Sequence, residues 1–420
     1  EATADLAAAL AIWDDLGLGA LAATSVHNLG VIEMLRGDFV AALDHFESAQ
    51  QRSSTLGHEG AASGRDYCDA LLAVGLARDA FERAVELAGS CDAAGDSLAG
   101  AELRLLAAHA ALQLDDVDAT AEMATLALRG FDDAGRPGWS AQSRLALARA
   151  AVALGEADAP TIDALAAELH AHAWRDAALN AVLLAADVAL RSGDVADAER
   201  RLDAASGDLR SARAERRLQA HTVAAAVAAA KADAAAARRA VRRGLTVVED
   251  EQRAVGAIDA RAHFASHAAR LVAIGREQAV RQRDVRASWH ALERMRALSL
   301  RHPRVRPVDD EALARLLAQL RQVSVELSTA EPGSQGWDAL SREHRRLQRR
   351  VADHVRRTPG ATGLAGDVDL DDIAERLDGG AMIAFEPVGG RLWSYTFDGR
   401  MRRRDLGELA AFTDRVAAVQ

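Results

Sequence analysis

Lysine is almost missing from this chain of 420 residues. Lys231 stands alone against fifty arginines, which marks a GC-rich, expectedly bacterial, coding sequence rather than a binding function. Cysteine is nearly as scarce. Cys68 and Cys91 have no CxxC spacing, so neither a disulfide framework nor a zinc site is indicated, and a reducing, cytoplasmic setting is expected. Only seven prolines occur, four of them after residue 303, so helices can run unbroken through the first three hundred residues. Aromatic residues make up 4% of the chain, too few for large aromatic-filled cores. No apolar run reaches the ~18 residues of a membrane span, and no signal peptide is seen. There is no phosphate-binding glycine loop, no dinucleotide fingerprint and no pair of carboxylates in a strand context, so no cofactor and no metal are expected. His170 and His172, two apart on a helix, point in different directions and do not form a metal pair.

Alanine fills the space left by these absences. It favours helix and lets helices approach closely. The stretch Leu29–Ala49, LGVIEMLRGDFVAALDHFESA, reads as two short helices and a turn. Val26, Leu29 and Met34 form the apolar side of the first helix. Phe39, Leu43 and Phe46 recur at i, i+4 and i+7 on the second. Gly37-Asp38 separates them: glycine accepts a positive φ and aspartate caps the helix that follows. Small residues, Gly30, Ala42 and Ala49, lie where the two helices must approach. A lone hairpin cannot bury both its faces, so one unit implies an array.

Related turns follow at Val74-Gly75-Leu76, Leu114-Asp115-Asp116, Leu154-Gly155-Glu156, Ser192-Gly193-Asp194 and Lys231-Ala232-Asp233, with a looser one at Ala273-Ile274-Gly275. Their spacings run from 38 to 43 residues. A small residue follows each of five turns at the expected crossing: Ala42, Ala80, Ala119, Ala198 and Ala237. On Leu29, Gly30, Gly37, Asp38, Phe39, Ala42, Phe46 and Ala49 the first unit resembles the tetratricopeptide repeat (TPR). It departs from that family in having Ser54 where a proline is usual, and in a period longer than ~34 residues. The resemblance implies a helical-hairpin solenoid over residues 1–275. It also implies a protein or peptide partner on the concave face lined by first helices, with His27, Val31, Met34 and Leu35 as the first unit's contributors.

Residues 276–307 read as one long helix, with Val285, Trp289, Leu292 and Met295 on one side, and a linker with Pro303 and Pro307. A basic helical hairpin is expected over 308–358, turning at Glu331-Pro332-Gly333-Ser334. Its Arg-rich second helix lacks interleaved aromatics and any groove-reading motif, so a solvated connector is the expected reading and nucleic acid is not.

Near residue 366 the period changes from helix to strand. Asp367–Asp378 reads as a capped helix, Ala381–Pro387 as a strand, Gly389-Gly390 as a hairpin turn, and Arg391–Phe397 as a second strand. Asp398-Gly399 is a second turn, Arg400–Leu406 a third strand, and helix resumes at Gly407. Three short strands cannot close a domain by themselves. Starting at Glu1 in mid-helix and ending on an unfinished sheet, the chain reads as a piece of a longer protein. The helix leading to Leu377-Asp378-Gly379-Gly380, the strand AMIAFEP, the turn Gly389-Gly390-Arg391-Leu392 and the strand ending Asp405-Leu406-Gly407 resemble the beginning of a CHAT domain. That caspase-like domain often follows TPR arrays. The fold class expected is therefore mostly α: a TPR-like solenoid, a helical hairpin, and an incomplete α/β, caspase-like segment over 366–420.

The resemblance implies a His and a Cys on later strands of such a domain, but residues 366–420 contain neither. Cys68 and Cys91 read as repeat residues, so no catalytic residue is assigned. Two functions stay open: a regulatory array controlling a caspase-like cysteine protease, or a non-enzymatic scaffold or peptide adaptor with a pseudo-domain or dimerisation element. Charge adds one asymmetry. Residues 1–209 hold 34 acidic and 14 basic side chains, a net of −20, and the remainder 28 and 37, a net of +9. Oligomeric state is open.

Overall fold

The computed structural model describes residues 2–36, 38–54, 61–210, 212–254, 267–300, 311–329, most of the positions between 336 and 351, and 370–412. The protein is mostly helical, with one small antiparallel sheet near its C-terminal end. The helices are α1 (Ala2–Asp15), α2 (Gly19–Arg36), α3 (Phe39–Ser54), α4 (Ala61–Ala73), α5 (Ala77–Ala94), α6 (Ser97–Gln113), α7 (Val117–Asp133), α8 (Pro137–Leu154), α9 (Ala159–Ala171), α10 (Arg175–Arg191), α11 (Val195–Ala205), α12 (Ala214–Ala230), α13 (Ala234–Ala254), α14 (Ala269–Val280), α15 (Val285–Leu300), α16 (Glu311–Thr329) and α17 (Leu370–Leu377). The strands are β1 (Met382–Val388), β2 (Arg391–Phe397) and β3 (Met401–Glu408). None of the described helices is long and apolar enough to cross a membrane.

Two compact units emerge. One holds α1 to α9, most of α10, and α16; the other holds α11 to α15, α17 and the sheet. In the first unit each helix from α1 to α8 packs on the next, and α2, α4, α6 and α8 also touch in succession.

The turns explain this regularity. From Gly75 to Gly155 a residue with positive φ recurs every 20 residues: Gly75, Gly95, Asp115, Gly135 and Gly155, followed by Ala173, Gly193 and Ala232. Each ends one helix in a left-handed residue that the next helix can start from. Aspartate then caps the new helix. Asp38, Asp96, Asp116, Asp158, Asp194 and Asp233 each accept a backbone N–H three residues on, at 2.9–3.1 Å.

The residue four after the N-cap is the crossing point of the hairpin. Ala42, Ala80, Thr120, Ile162, Ala198 and Ala237 hold this place, and all are at most 1% exposed. Ala119, the residue expected there, is half-buried; Thr120, four after the Asp116 cap as in the other hairpins, takes the position. Ala42→Leu forces an isobutyl group into the closed contact of α2 and α3. It is expected to lower stability by about 1–3 kcal/mol. An unchanged thermal midpoint would refute the placement.

Three expectations are corrected. Gly275 is not in a turn but inside α14. A Cβ there would stand 2.6 Å from Met295 Sδ and 2.9 Å from Val241, so its glycine serves close packing. The helix expected to run unbroken from 276 is two helices. α14 stops at Val280, and Asp284 caps α15 by accepting from the Arg286 and Ala287 amides at 2.9 and 3.2 Å. Gly407 belongs to β3, and helix resumes only at Leu409. Gly37, the linker 301–307 and the turn 331–334 lie outside the described residues, as does the side chain of Phe39. The first helix of the basic hairpin is present as α16, and the second is helical where described.

The sheet follows the order β1-β2-β3. Val388 pairs with Arg391 across Gly389 and Gly390, both at positive φ, which is the two-residue turn that matches strand twist. Phe397 pairs with Met401 across a three-residue turn containing Gly399. A bulge between Leu392 and Trp393 faces Asp405–Gly407. The sheet does not close on itself. One face, with Glu386, Val388, Trp393, Tyr395, Phe397 and Met401, joins a core shared with α12 to α15 and α17.

Candidate interaction sites

In the first unit, helices α2, α4 and α6 are bridged by charge. His27 Nε2 on α2 lies 3.2 Å from Asp66 Oδ2 on α4. Arg65 donates to Asp66 Oδ1 from Nε and Nη2 at 3.0 and 2.9 Å, and from Nη1 to Glu102 Oε2 on α6 at 2.9 Å. Burial works against both charges in the Arg65–Asp66 pair, but the hydrogen bonds outweigh it. Asp66, bonded by His27 and Arg65, has its pKa lowered; Arg65, bonded by Glu102 and Asp66, has its pKa raised. His27 thus faces its charged neighbour with one ring nitrogen. Its ring packs 5.1 Å from that of Phe46, and its Nδ1 is buried with no hydrogen-bond partner among the described residues.

The four residues expected to face a partner separate in the structure. Val31 and Met34 are half-buried and pack on the cluster of Ala42, Phe46 and Leu71, while His27 is held by Asp66 and Phe46. Leu35 points outward at 83% exposed. Of the four, Leu35 is the side chain whose change tests binding without disturbing the core. Arg65, Asp66 and Glu102 were not singled out from the sequence. A signal for them exists, since Arg65 and Glu102 are 37 residues apart, close to one repeat.

The sign of the Asp66 shift fixes a pH dependence. A carboxyl with a lowered folded pKa stabilises the fold above its unfolded pKa of about 3.9, and that contribution is lost as pH falls through the folded value. Asp66→Asn is therefore expected to lower stability near neutral pH by about 1–2 kcal/mol. The gap from the parent protein should narrow below pH ~4. Thermal midpoints of both proteins from pH 3 to 7 check this, and a constant gap would contradict it.

In the second unit the sheet is fixed to α14 and α15 by a polar joint. Glu386, 3% exposed on β1, accepts from Arg296 Nη2 of α15 at 2.6 Å. Arg276 Nε of α14 stands 3.2 Å from its other oxygen, an ion pair whose geometry is not that of a hydrogen bond. Arg296 also pairs with Glu293, whose pKa burial raises, with the Glu386 charge adding to the rise against Arg296. Tyr395 Oη and Ser288 Oγ share a buried hydrogen bond of 2.5 Å. Arg403 of β3 donates to the Gln282 carbonyl at 2.9 Å and to Ser288 Oγ at 3.2 Å, and covers the Trp393 ring at 5.6 Å. It closes the C-terminal end of α14, where backbone carbonyls lack helical partners. The Trp289 ring lies 5.7 Å from that of Tyr395.

Neither cysteine is set up as a nucleophile. Burial pushes the Cys68 thiol up to about 12, and burial with Asp96 and Asp92 raises that of Cys91. His170 and His172 are exposed at the end of α9. Among the described residues no three His, Cys, Asp or Glu side chains gather as a metal site. No protein-family model matches the chain, and no curated protein matches it.

Proposed function

We propose that the protein is an interaction module, in which TPR-like helical hairpins hold a protein partner and their last helices carry the start of a CHAT-like α/β element. The observation that carries this reading is the joint of Glu386, Arg276, Arg296, Ser288, Tyr395 and Arg403. It ties the sheet to the helical pair α14–α15 in one core, so a change in those helices is felt by the sheet. The repeated caps, the crossing position and the succession α2, α4, α6, α8 support a repeat array. The finer reading is regulatory: the array controls a caspase-like cysteine protease through the sheet. Residues 1–420 then contribute binding and control rather than the nucleophile, since both thiols are buried and protonated at neutral pH.

The test starts from the exposed Leu35. Partners captured from host extract by the 420-residue protein are expected to be lost on Leu35→Arg, with the thermal midpoint unchanged. Hydrogen exchange in β2 is then measured with and without the captured partner. Altered protection of Leu392–Thr396 supports control through the sheet. Unaltered protection leaves a scaffold, and capture that survives Leu35→Arg rejects the first-helix face as the binding surface.

A further inference from the structure

Counted from the N-cap, the sixth residue of the second helices changes sign along the chain. It is Asp44 in α3, Glu82 in α5 and Glu122 in α7, the uncharged Ala164 in α9, then Arg200 in α11 and Arg239 in α13. The change is largest in α13. Arg238, Arg239, Arg242 and Arg243 are all exposed, and with two i, i+4 pairs they cover its outward face for two turns. Among the described residues none of these four guanidiniums has an ion-pair partner. The carboxylates nearest on the same helix are engaged elsewhere. Asp233 caps the helix through the Ala236 amide, Glu249 holds Arg294 at 2.8 Å, and Glu251 faces Arg217 at 4.0 Å. In the first unit Glu82, Asp118 and Glu122 are exposed and likewise without ion-pair partners among the described residues. Both sets are exposed on a second helix, and the net charges of the two halves, −20 and +9, have opposite sign.

We propose that the arginine face of α13 is a self-association surface that takes the acidic outer face of α5 and α7 from a second copy of this chain. Each copy carries one of each surface. The contact is therefore heterologous, between unlike surfaces of the two copies. Guanidinium forks and carboxylates at matching i, i+4 spacings give the register. All the groups are solvated, so the association is weak and salt-sensitive: at ~0.15 M salt the Debye length is about 8 Å, and exposed pairs are largely screened.

Sedimentation equilibrium of the 420-residue protein tests this. At about 0.02 M salt the weight-average mass is expected to rise above 44.5 kDa with protein concentration, and at about 0.5 M to return to it. Arg239→Glu with Arg243→Glu should stay at monomer mass at both salts, and so should Glu82→Arg with Glu122→Arg. Mixing the two variants should restore association, because the reversed α13 face of one then meets the reversed acidic face of the other. Circular dichroism confirms that each is folded; if the Glu pair fails, Arg239→Gln with Arg243→Gln replaces it. A parent protein that is monomeric at low salt overturns the proposal, as does association unaffected by salt or by either charge reversal. A monomer whose α13 face instead retards a short single-stranded oligonucleotide assigns the face to nucleic acid and also overturns it.

Discussion

Glu386→Ala is expected to destabilise the second unit by about 3 kcal/mol, the lower end of what removing one partner from a buried ion pair costs. Its carboxylate stands between the guanidiniums of Arg276 and Arg296 in the joint below β1, and Glu293 shares Arg296. Arg276 and Arg296 are 32% and 28% exposed, so both can turn partly to water once the carboxylate is gone, which keeps the loss from the upper end. Glu386→Gln keeps the shape and should cost less. Arg296→Ala should cost more than Arg276→Ala, because Arg296 makes the hydrogen bond and also lies over the Trp289 ring at 5.7 Å. Urea unfolding followed by hydrogen exchange in β1 and β2 reads the second unit separately. An alanine variant within about 0.5 kcal/mol of the parent would show that the Glu386 carboxylate contributes nothing net to the joint.

Phe46→Ala is expected to remove about 3–5 kcal/mol from the first unit, the usual cost of emptying a buried phenylalanine site. Phe46 is fully buried, with its ring against His27 and in the notch left by Gly30. A Cβ on Gly30 would stand 2.7 Å from the ring. The two positions should therefore couple. Gly30→Ala in the parent should cost about 1–3 kcal/mol by overpacking. In the Phe46→Ala background the same change should become neutral or favourable, since alanine is the better helix former by about 1 kcal/mol. A double-mutant cycle measured by thermal unfolding reads the sign change, and additive effects would refute the contact.

Much of the local architecture was legible. Gly30, Ala42 and Phe46 met where the spacing placed them, and β2 runs from Arg391 to Phe397 as the alternation indicates. These are signals carried within a few residues, by turn chemistry and periodicity. Thr120 was hidden because the crossing there carries a threonine, while the neighbouring Ala119 fits the small-residue pattern. Gly275 misled because glycine serves both turns and close packing, and only Met295, on another helix, shows which. The break before Asp284 was readable from its capping aspartate but was masked by an apolar stripe that continues past it. The covering of the sheet by α14 and α15 was not legible at all: nothing local in Ser288 announces Tyr395, more than a hundred positions on. Of the four partner contacts expected from resemblance, Leu35 is exposed, while His27, Val31 and Met34 are half-buried against Asp66 and the Phe46 cluster.

The shared core of the second unit also sets an order of events in folding. Packed residues there range from Leu218 to Phe397, whereas helices α2 to α8 find their partners among near neighbours in sequence. Chains emerge from the ribosome N-terminus first, so α12 to α15 are made before β1, β2 and β3. Until β2 arrives, Trp289 and the hydroxyl of Ser288 lack the ring and phenol that cover them. The second unit thus has to close a long loop before its core is complete, a slow step by contact order, while the neighbour-to-neighbour helices can already be in place. The nascent chain in that interval presents a bare apolar helical pair, the species that a chaperone or a misdirected second copy would meet first.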